Sequence, residues 1–179
     1  LAGIPGSMGG ALRMNAGAHG GEIRDLLVEA DLVDPEGRIH LLPVTALGME
    51  YRRCAIDSEW IFTGARFRFL PDDASRVRER MRLFNQKRRR SQPLAWPSAG
   101  SVFKNPASGP KAWELLEQAG LRGRRIGDAQ VSPMHCNFFI NLGQATAQEM
   151  RQLIDLAQKS VADQTGILLE PEVKFVGWE

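Results

Sequence analysis

The segment around Ser101 has the residue types that handle a polar ligand. It reads Pro97-Ser98-Ala99-Gly100-Ser101-Val102-Phe103-Lys104-Asn105-Pro106, so small side chains precede Ser101 and leave its hydroxyl room to approach a bound molecule. Lys104 and Asn105 follow as residues suited to contact an anion and an amide. The G-x-S-x-G elbow of a serine hydrolase is missing, and no acid–base partner is evident. A ligand-binding loop and a serine-rich connection between two elements therefore both remain open.

A glycine-rich stretch near the start of the sequence is the second segment suited to a ligand. Its residues of interest are Gly3, Ile4, Pro5, Gly6, Ser7, Gly9, Gly10 and Asn15. Glycines allow backbone N–H groups to approach a phosphate or a flat ring closely, and the side chains of Ser7 and Asn15 would add hydrogen bonds. The stretch is neither a Walker loop nor a dinucleotide fingerprint that follows a strand. A tight structural loop is the alternative.

Three charged residues also have types suited to chemistry. Arg52 carries a planar guanidinium that suits a carboxylate or a phosphate, although a surface ion pair is the simpler interpretation. Glu170 and Glu172 lie two residues apart in an apolar stretch, so we expect both on one inward face of a strand. Burial there would raise the pKa of a carboxyl group. A solvated strand end is the alternative.

Composition narrows the class of protein. The 179 residues are enough for one domain or two small lobes, and no apolar run is long enough to span a bilayer. We expect no signal peptide. Cys54 and Cys136 are isolated and are expected to be thiols, and the spacing of the three histidines predicts no metal site.

Charge is distributed unevenly along the chain. Residues 1–72 carry 7 Lys/Arg and 10 Asp/Glu, whereas residues 73–179 carry 16 and 11. This asymmetry predicts that the second half meets an anionic partner. Between positions 76 and 90, eight basic residues stand against one acid, which raises the hypothesis of RNA binding. A charge run of this kind is more often the solvated face of a helix.

Hydrophobic periodicity predicts an α+β protein whose elements carry these segments. Helices are predicted from Asp73 to just before Pro93, at 109–120 with Pro110 in the first turn, and at 147–164 between a Thr146–Glu149 capping box and Gly166. The predicted strands span 27–33, 38–42, 60–70, 137–142 and 167–176, with the turn 34–37 between the first two. The boundary between lobes is predicted near residues 72–74.

In this order, the segments resemble one known family over essentially the whole chain. The matching motifs are Ala2 to Ala11, Asn15 to Glu22, Tyr51-Arg52, Pro97 to Pro106, His135-Cys136-Asn137-Phe138 and Leu169-Glu170-Pro171-Glu172-Val173. They resemble the UDP-N-acetylenolpyruvoylglucosamine reductases, and Gly-Ser-Val-Phe-Lys-Asn-Pro at 100–106 is a highly specific part of the match.

The resemblance implies a bacterial cytoplasmic flavoenzyme of peptidoglycan precursor synthesis. Such an enzyme reduces UDP-N-acetylglucosamine enolpyruvate to UDP-N-acetylmuramate, using NADPH through non-covalently bound FAD. Residues 1–72 would be the latter part of a two-lobed FAD-binding domain, and 73–179 the substrate domain with a final strand that returns to the flavin. The first FAD lobe is expected to lie outside this sequence, so this chain alone is expected to be inactive. The resemblance also implies a monomer, no nucleic-acid partner and no membrane insertion.

Residue roles follow from the resemblance position by position. Ser101 would be the proton donor, and Arg52 and Glu172 would support the reacting carboxylate. Lys104, Asn105 and Asn137 would contact the substrate, with contacts to the nicotinamide as the alternative for Asn105 and Asn137. The glycine-rich residues Gly3 to Gly10 and Asn15 would line the flavin. Some members have a lysine just before the proline equivalent to Pro93, and here phosphate binding is expected to shift to Lys87, Arg90 or Lys104.

Two other classes of function stay open at this point. A related flavin oxidase would share the FAD-binding style but should lack the Ser101–Asn105 segment. A non-enzymatic fragment that binds anions or RNA would use the basic face between residues 76 and 90. Colour separates these readings, because a flavoprotein is yellow whereas a binding module is colourless.

Overall fold

The structure, a computed structural model, describes residues 4–177 and divides into two compact units. The first unit ends at Asn85 and the second begins at Gln86, inside a long helix. The sequence predicted the boundary at the beginning of that helix, between residues 72 and 73. The division of cofactor and substrate binding between the units stays a prediction.

The first unit is built around a three-stranded antiparallel sheet. It opens with helix α1 (Met8–Arg13) and a short hairpin, β1 (Gly17–Ala18) and β2 (Gly21–Glu22). The sheet has the order β4-β3-β5 and consists of β3 (Leu27–Val33), β4 (Ile39–Pro43) and β5 (Ile61–Phe67). Its core contains Leu12, Ile23, Leu27, Ala30, Leu32, Leu47 and Met49.

The turn between β3 and β4 forms as its residues predict. Gly37 adopts a φ of 80° and donates its N–H to the Asp34 carbonyl at 3.0 Å. The Asp34 carboxylate accepts from the Arg38 N–H at 2.8 Å and lies 2.7 Å from the His40 ring. Strand pairing then continues from Val33↔Ile39 through Leu32↔His40. The predicted hairpin is confirmed.

The second unit combines a four-stranded antiparallel sheet with two helices. Helix α2 (Ala74–Ser91), in which no residue is buried, precedes this unit's first strand. That strand is β6 (Ser98–Ser101), and helix α3 (Ala112–Gln118) follows it. The remaining elements are β7 (Arg125–Ile126), β8 (Ala129–Val131), β9 (Phe138–Asn141) and α4 (Ala147–Thr165), and the sheet order is β6-β9-β8-β7. Mixed helix and sheet confirms the predicted α+β class.

Helix α4 has the ends that its sequence predicts. The Thr146 hydroxyl accepts from the Glu149 N–H at 3.1 Å, and the Glu149 carboxylate accepts from the Thr146 N–H at 2.8 Å. Gly166 closes the helix in the left-handed conformation, with a φ of 72°. Leu153, Ile154, Ala157 and Val161 are buried in the core of this unit together with Phe103 and Leu169.

Two predictions of secondary structure are wrong, and one helix was not predicted. No strand spans 167–176, where the backbone makes a single bridge between Phe103 and Pro171, because proline has no N–H to extend a ladder. Helix α3 begins at Ala112, so Pro110 lies before the Lys111 cap instead of in the first turn. The glycine-rich stretch includes helix α1, which the sequence did not predict.

Candidate functional site

The segment that carries Ser101 lies between two neighbouring stretches of backbone in the second unit. Ser101 ends β6 opposite Phe138 of β9, and the Val102 N–H donates to the Asn137 carbonyl at 2.9 Å. On the other side, the Val102 carbonyl accepts from the Glu172 N–H at 2.7 Å. The structure therefore places Ser101 and Glu172 on adjacent segments, which are joined by the hydrogen bond between Val102 and Glu172.

Burial holds this segment in a fixed orientation. Val102 and Phe103 are buried, and the Phe103 ring meets the Phe139 ring edge-on at 6.1 Å. The flanking Ser101 and Lys104 are only half-buried. Two apolar anchors thus separate the polar side chains that could reach a ligand.

The Ser101 hydroxyl is available for a bound molecule. Among the residues that the structure describes, it makes no hydrogen bond to any other group. Gly100, directly before it, has a φ of 83°, and a Cβ there would have no heavy atom within 4 Å. The positive φ, and not a lack of space, is therefore what favours glycine at this position.

The two glutamates do not share a buried face. Glu170 is exposed and its carboxylate pairs with Lys104 Nζ at 2.6 Å, whereas Glu172 is half-buried. The expectation that both face inward is wrong for Glu170, because residues 170–173 follow no regular strand and so lose the two-residue alternation. Lys104 is the more buried partner, with 17% of its side chain exposed.

Asn137 binds the protein backbone, and its predicted contact with the substrate stays a prediction. It is 4% exposed, its Oδ1 accepts from the Phe103 N–H at 2.9 Å, and its Nδ2 donates to the Phe103 carbonyl at 2.8 Å. Sequence reasoning missed this contact. The available signal was a polar residue directly before the apolar run Phe138-Phe139-Ile140.

Asn105 contributes to the start of α3. Its Oδ1 accepts from the Ala112 N–H at 3.1 Å, which satisfies one of the unpaired N–H groups at the beginning of that helix. The residue nevertheless remains exposed. Its predicted contact with the substrate stays a prediction.

The pKa values of the two residues before Asn137 are shifted in the directions that favour their uncharged forms. Burial lowers the pKa of His135, and His135 Nδ1 accepts from the Asn137 N–H at 3.2 Å, which requires an unprotonated nitrogen. Burial likewise raises the pKa of the Cys136 thiol, although nearby Arg122 opposes the shift. Cys54 and Cys136 are both free cysteines. Neither His135 nor Cys136 has the properties of an activated nucleophile.

Arg52 lies at the tip of a tight turn in the first unit. Glu50 and Arg53 exchange backbone hydrogen bonds at 3.0 and 3.1 Å, and Arg52 between them adopts a φ of 52°. Its Nη2 donates to the Gly17 carbonyl at 2.9 Å, and its guanidinium carbon lies 4.8 Å from the centre of the Tyr51 ring. These contacts orient the guanidinium, which is half-buried.

The predicted cofactor-binding residues fall into three groups. Gly3 lies outside the described residues. Pro5, Gly6 and Ser7 are exposed and Ile4 is half-buried, whereas Gly9 and Gly10 belong to α1. The Ser7 hydroxyl caps that helix by accepting from the Gly10 N–H at 3.1 Å.

Asn15 has a structural role in the first unit, and its predicted contact with the cofactor stays a prediction. It is fully buried and adopts a φ of 41°. Its Nδ2 donates to the Glu22 carboxylate at 2.9 Å and to the Glu50 carbonyl at 3.0 Å, and its Oδ1 accepts from the Arg24 N–H at 3.0 Å. The side chain thereby ties together the β1–β2 hairpin and the turn that carries Arg52.

Neither a metal centre nor a membrane span emerges from residues 4–177. No group of three or more His, Cys, Asp or Glu side chains in that range could hold a metal ion. No helix formed by these residues is both long and apolar enough to cross a bilayer.

Comparison with known proteins gives the class to which this fold and site belong. Residues 92–176 match the family model described as UDP-N-acetylenolpyruvoylglucosamine reductase, C-terminal domain. The crystal structure of UDP-N-acetylenolpyruvylglucosamine reductase from Thermus caldophilus has a TM-score of 0.84 at 34% identity, over 96% of this chain and 61% of that one. The second unit thus has the fold of a reductase C-terminal domain.

Curated relatives extend the similarity through the first unit. The UDP-N-acetylenolpyruvoylglucosamine reductase of Magnetococcus marinus is 49% identical over 97% of this chain and 55% of its own length. The reductase of Rhodospirillum rubrum is 46% identical over 99% of this chain and 57% of its own length. The chain is thus similar to UDP-N-acetylenolpyruvoylglucosamine reductases over nearly its whole length, and the resemblance read from its motifs is confirmed. It spans about half the length of the curated relatives that it matches.

Proposed function

We propose that the protein to which this chain belongs reduces UDP-N-acetylglucosamine enolpyruvate to UDP-N-acetylmuramate in the bacterial cytoplasm, with NADPH and bound FAD. The observation that carries the proposal is the placement of Ser101, whose hydroxyl has no hydrogen-bond partner among the described residues, on a segment tied at Val102 to Glu172. The names of the relatives supply the substrate class.

Ser101 is proposed to deliver the proton that completes the reduction. Addition of hydride to the β-carbon of the enolpyruvyl ether leaves negative charge on the α-carbon and its carboxylate, and that carbon then needs a proton. A serine hydroxyl is a weak acid in water, so it needs a neighbour or a water molecule to assist it. Glu172 is proposed to orient Ser101 or to support the carboxylate, and its backbone bond to Val102 holds it beside this segment.

Arg52 is proposed to stabilise the charge that develops on the substrate carboxylate. A guanidinium that is already oriented, here by the Gly17 carbonyl and the Tyr51 ring, stabilises such charge without reorganising during the reaction. Its planar fork also matches the two oxygens of a carboxylate. Lys104 and Asn105 are proposed to bind the rest of the anionic substrate, with Lys87 and Arg90 as further phosphate contacts.

FAD is the cofactor that the family implies, and residues 4–7 fit such a group. Pro5, Gly6 and Ser7 are exposed, Gly6 has a φ of 119°, and a Cβ there would meet no atom within 4 Å. Backbone of this kind can approach a flat ring or a phosphate closely. When bound, FAD supplies the hydride that NADPH provides. We propose that residues 1–72 bind FAD and residues 73–179 bind the substrate.

Substrate-dependent oxidation of NADPH tests this function. The full-length protein that contains this chain is mixed with NADPH and UDP-N-acetylglucosamine enolpyruvate, and the product is weighed by mass spectrometry. We expect NADPH oxidation to require the enolpyruvyl group, and the product to be heavier by one hydride and one proton. UDP-N-acetylglucosamine, which lacks that group, is the control. An unchanged enolpyruvyl substrate would contradict the proposal.

A further inference from the structure

We propose that Asn137 is a positioning residue, which holds the Ser101 segment and Glu172 in register for the reduction. This inference rests on the function proposed above. Asn137 is 4% exposed and its side-chain amide is bound to Phe103, so we expect its effect to pass through the residues that it binds.

One asparagine makes three hydrogen bonds to two consecutive residues after Ser101. Its side chain accepts from the Phe103 N–H at 2.9 Å and donates to the Phe103 carbonyl at 2.8 Å. Its own carbonyl accepts from the Val102 N–H at 2.9 Å. A side-chain amide offers a donor and an acceptor side by side without charge at any pH, so an asparagine satisfies both Phe103 backbone groups at once.

The three hydrogen bonds of Asn137, which we call the Asn137 clamp, also connect it to Glu172, because Val102 is hydrogen-bonded to both residues. The Val102 carbonyl accepts from the Glu172 N–H at 2.7 Å and from the Val173 N–H at 3.4 Å. A shift of residues 102–103 therefore moves both proposed catalytic side chains. Because a misplacement of about 1 Å costs on the order of 10²-fold in rate, the clamp is expected to act on turnover and not only on stability.

Asn141, the last residue of β9, provides a matched control for Asn137, which directly precedes that strand. Its side chain also makes two backbone hydrogen bonds, accepting from the Gly143 N–H at 2.7 Å and the Ala145 N–H at 2.9 Å, and both lead away from Ser101. Asn137→Ala and Asn141→Ala thus each remove one side-chain amide, at opposite ends of β9. We compare them in the full-length protein, loaded with FAD, by stopped-flow absorbance and by hydrogen exchange.

Asn137→Ala is expected to slow flavin reoxidation by the enolpyruvyl substrate about 10²-fold, even at saturating substrate. Flavin reduction by NADPH should stay near the parental rate. Amide exchange should accelerate at residues 102–104 in Asn137→Ala and at residues 143–145 in Asn141→Ala. The Asn141→Ala variant should keep near-parental rates of flavin reduction and flavin reoxidation. Equal slowing by the two variants, in proportion to their lost stability, would overturn the proposal.

Asn137→Asp keeps the question decidable if the alanine variant does not fold. Its carboxylate sets a negative oxygen against the Phe103 carbonyl, whereas the protonated form can again donate and accept. Its reoxidation rate relative to the parent should therefore rise as the pH falls, and a constant ratio would count against positioning. Hydrogen exchange at residues 102–104 can be measured without any reaction. If the parent protein does not reduce the substrate, the proposed function is refuted, while the effect of Asn137 on residues 102–104 can still be tested.

Discussion

Arg52 occupies a backbone conformation that arginine rarely adopts. A φ of 52° lies in the left-handed region, and holding a residue with a side chain there costs on the order of 1–3 kcal/mol. The bonds between Glu50 and Arg53, and the donation from Arg52 to the Gly17 carbonyl, maintain this geometry. Strain of this kind clusters at functional sites, which supports the role proposed for the guanidinium.

Arg52→Lys should leave the charge in place but remove the planar fork. We expect steady-state turnover of the full-length protein to fall on the order of 10²-fold, because the oriented donors that meet the developing charge are lost. Flavin content, read from the visible spectrum, should stay near normal. Arg53→Lys is the matched control, since Arg53 lies in the same turn and 66% of its side chain is exposed. Nearly parental turnover in Arg52→Lys would assign Arg52 to a structural contact.

The β3–β4 hairpin contains a carboxylate whose ionisation is tied to folding. The hydrogen bond from the His40 ring holds the pKa of Asp34 below its usual range, while burial opposes the shift. The carboxylate therefore contributes stability above the unfolded pKa of about 3.9, and this contribution is lost as the pH falls through the lower folded value.

Asp34→Asn should remove this pH dependence from the hairpin. Urea unfolding followed by tryptophan fluorescence should show a smaller loss of unfolding free energy in the variant than in the parent as the pH drops below about 4. Trp60, one of the four tryptophans of the chain, packs against the His40 ring with centroids 4.6 Å apart, so part of the signal comes from this hairpin. Glu36→Gln, an exposed change in the same turn, should follow the parent. Parallel curves for the parent and Asp34→Asn would contradict the expectation.

Elements with local signals could be predicted from the sequence. Helix α4 carries its own capping box and closing glycine, and β3 and β4 share a turn with a specific glycine, so neither depends on distant residues. Strands β7 and β8 are only two and three residues long, too short for a periodic pattern, although they pair with each other across a two-residue turn. The roles of Asn15 and Asn137 depend on partners far along the chain, which their residue type alone does not reveal.

The share of its relatives' length that this chain covers leads to a prediction about FAD binding by the chain as a whole. Because this chain spans about half of their length, we expect it to retain no stoichiometric FAD after desalting and to oxidise no NADPH. The visible spectrum after incubation with excess FAD measures this directly. The full-length protein, treated in the same way, should stay yellow. Retained flavin with NADPH oxidation by the 179-residue chain would show that these residues suffice.

Separating the two half-reactions in Ser101→Ala tests the central claim most directly. Flavin reduction by NADPH requires no proton at the substrate, so stopped-flow absorbance of the full-length variant should show a nearly parental rate. Reoxidation by UDP-N-acetylglucosamine enolpyruvate needs that proton and should slow on the order of 10²–10⁴-fold, even at saturating substrate. Equal impairment of both steps, or rescue by raising the substrate concentration, would contradict proton donation by Ser101.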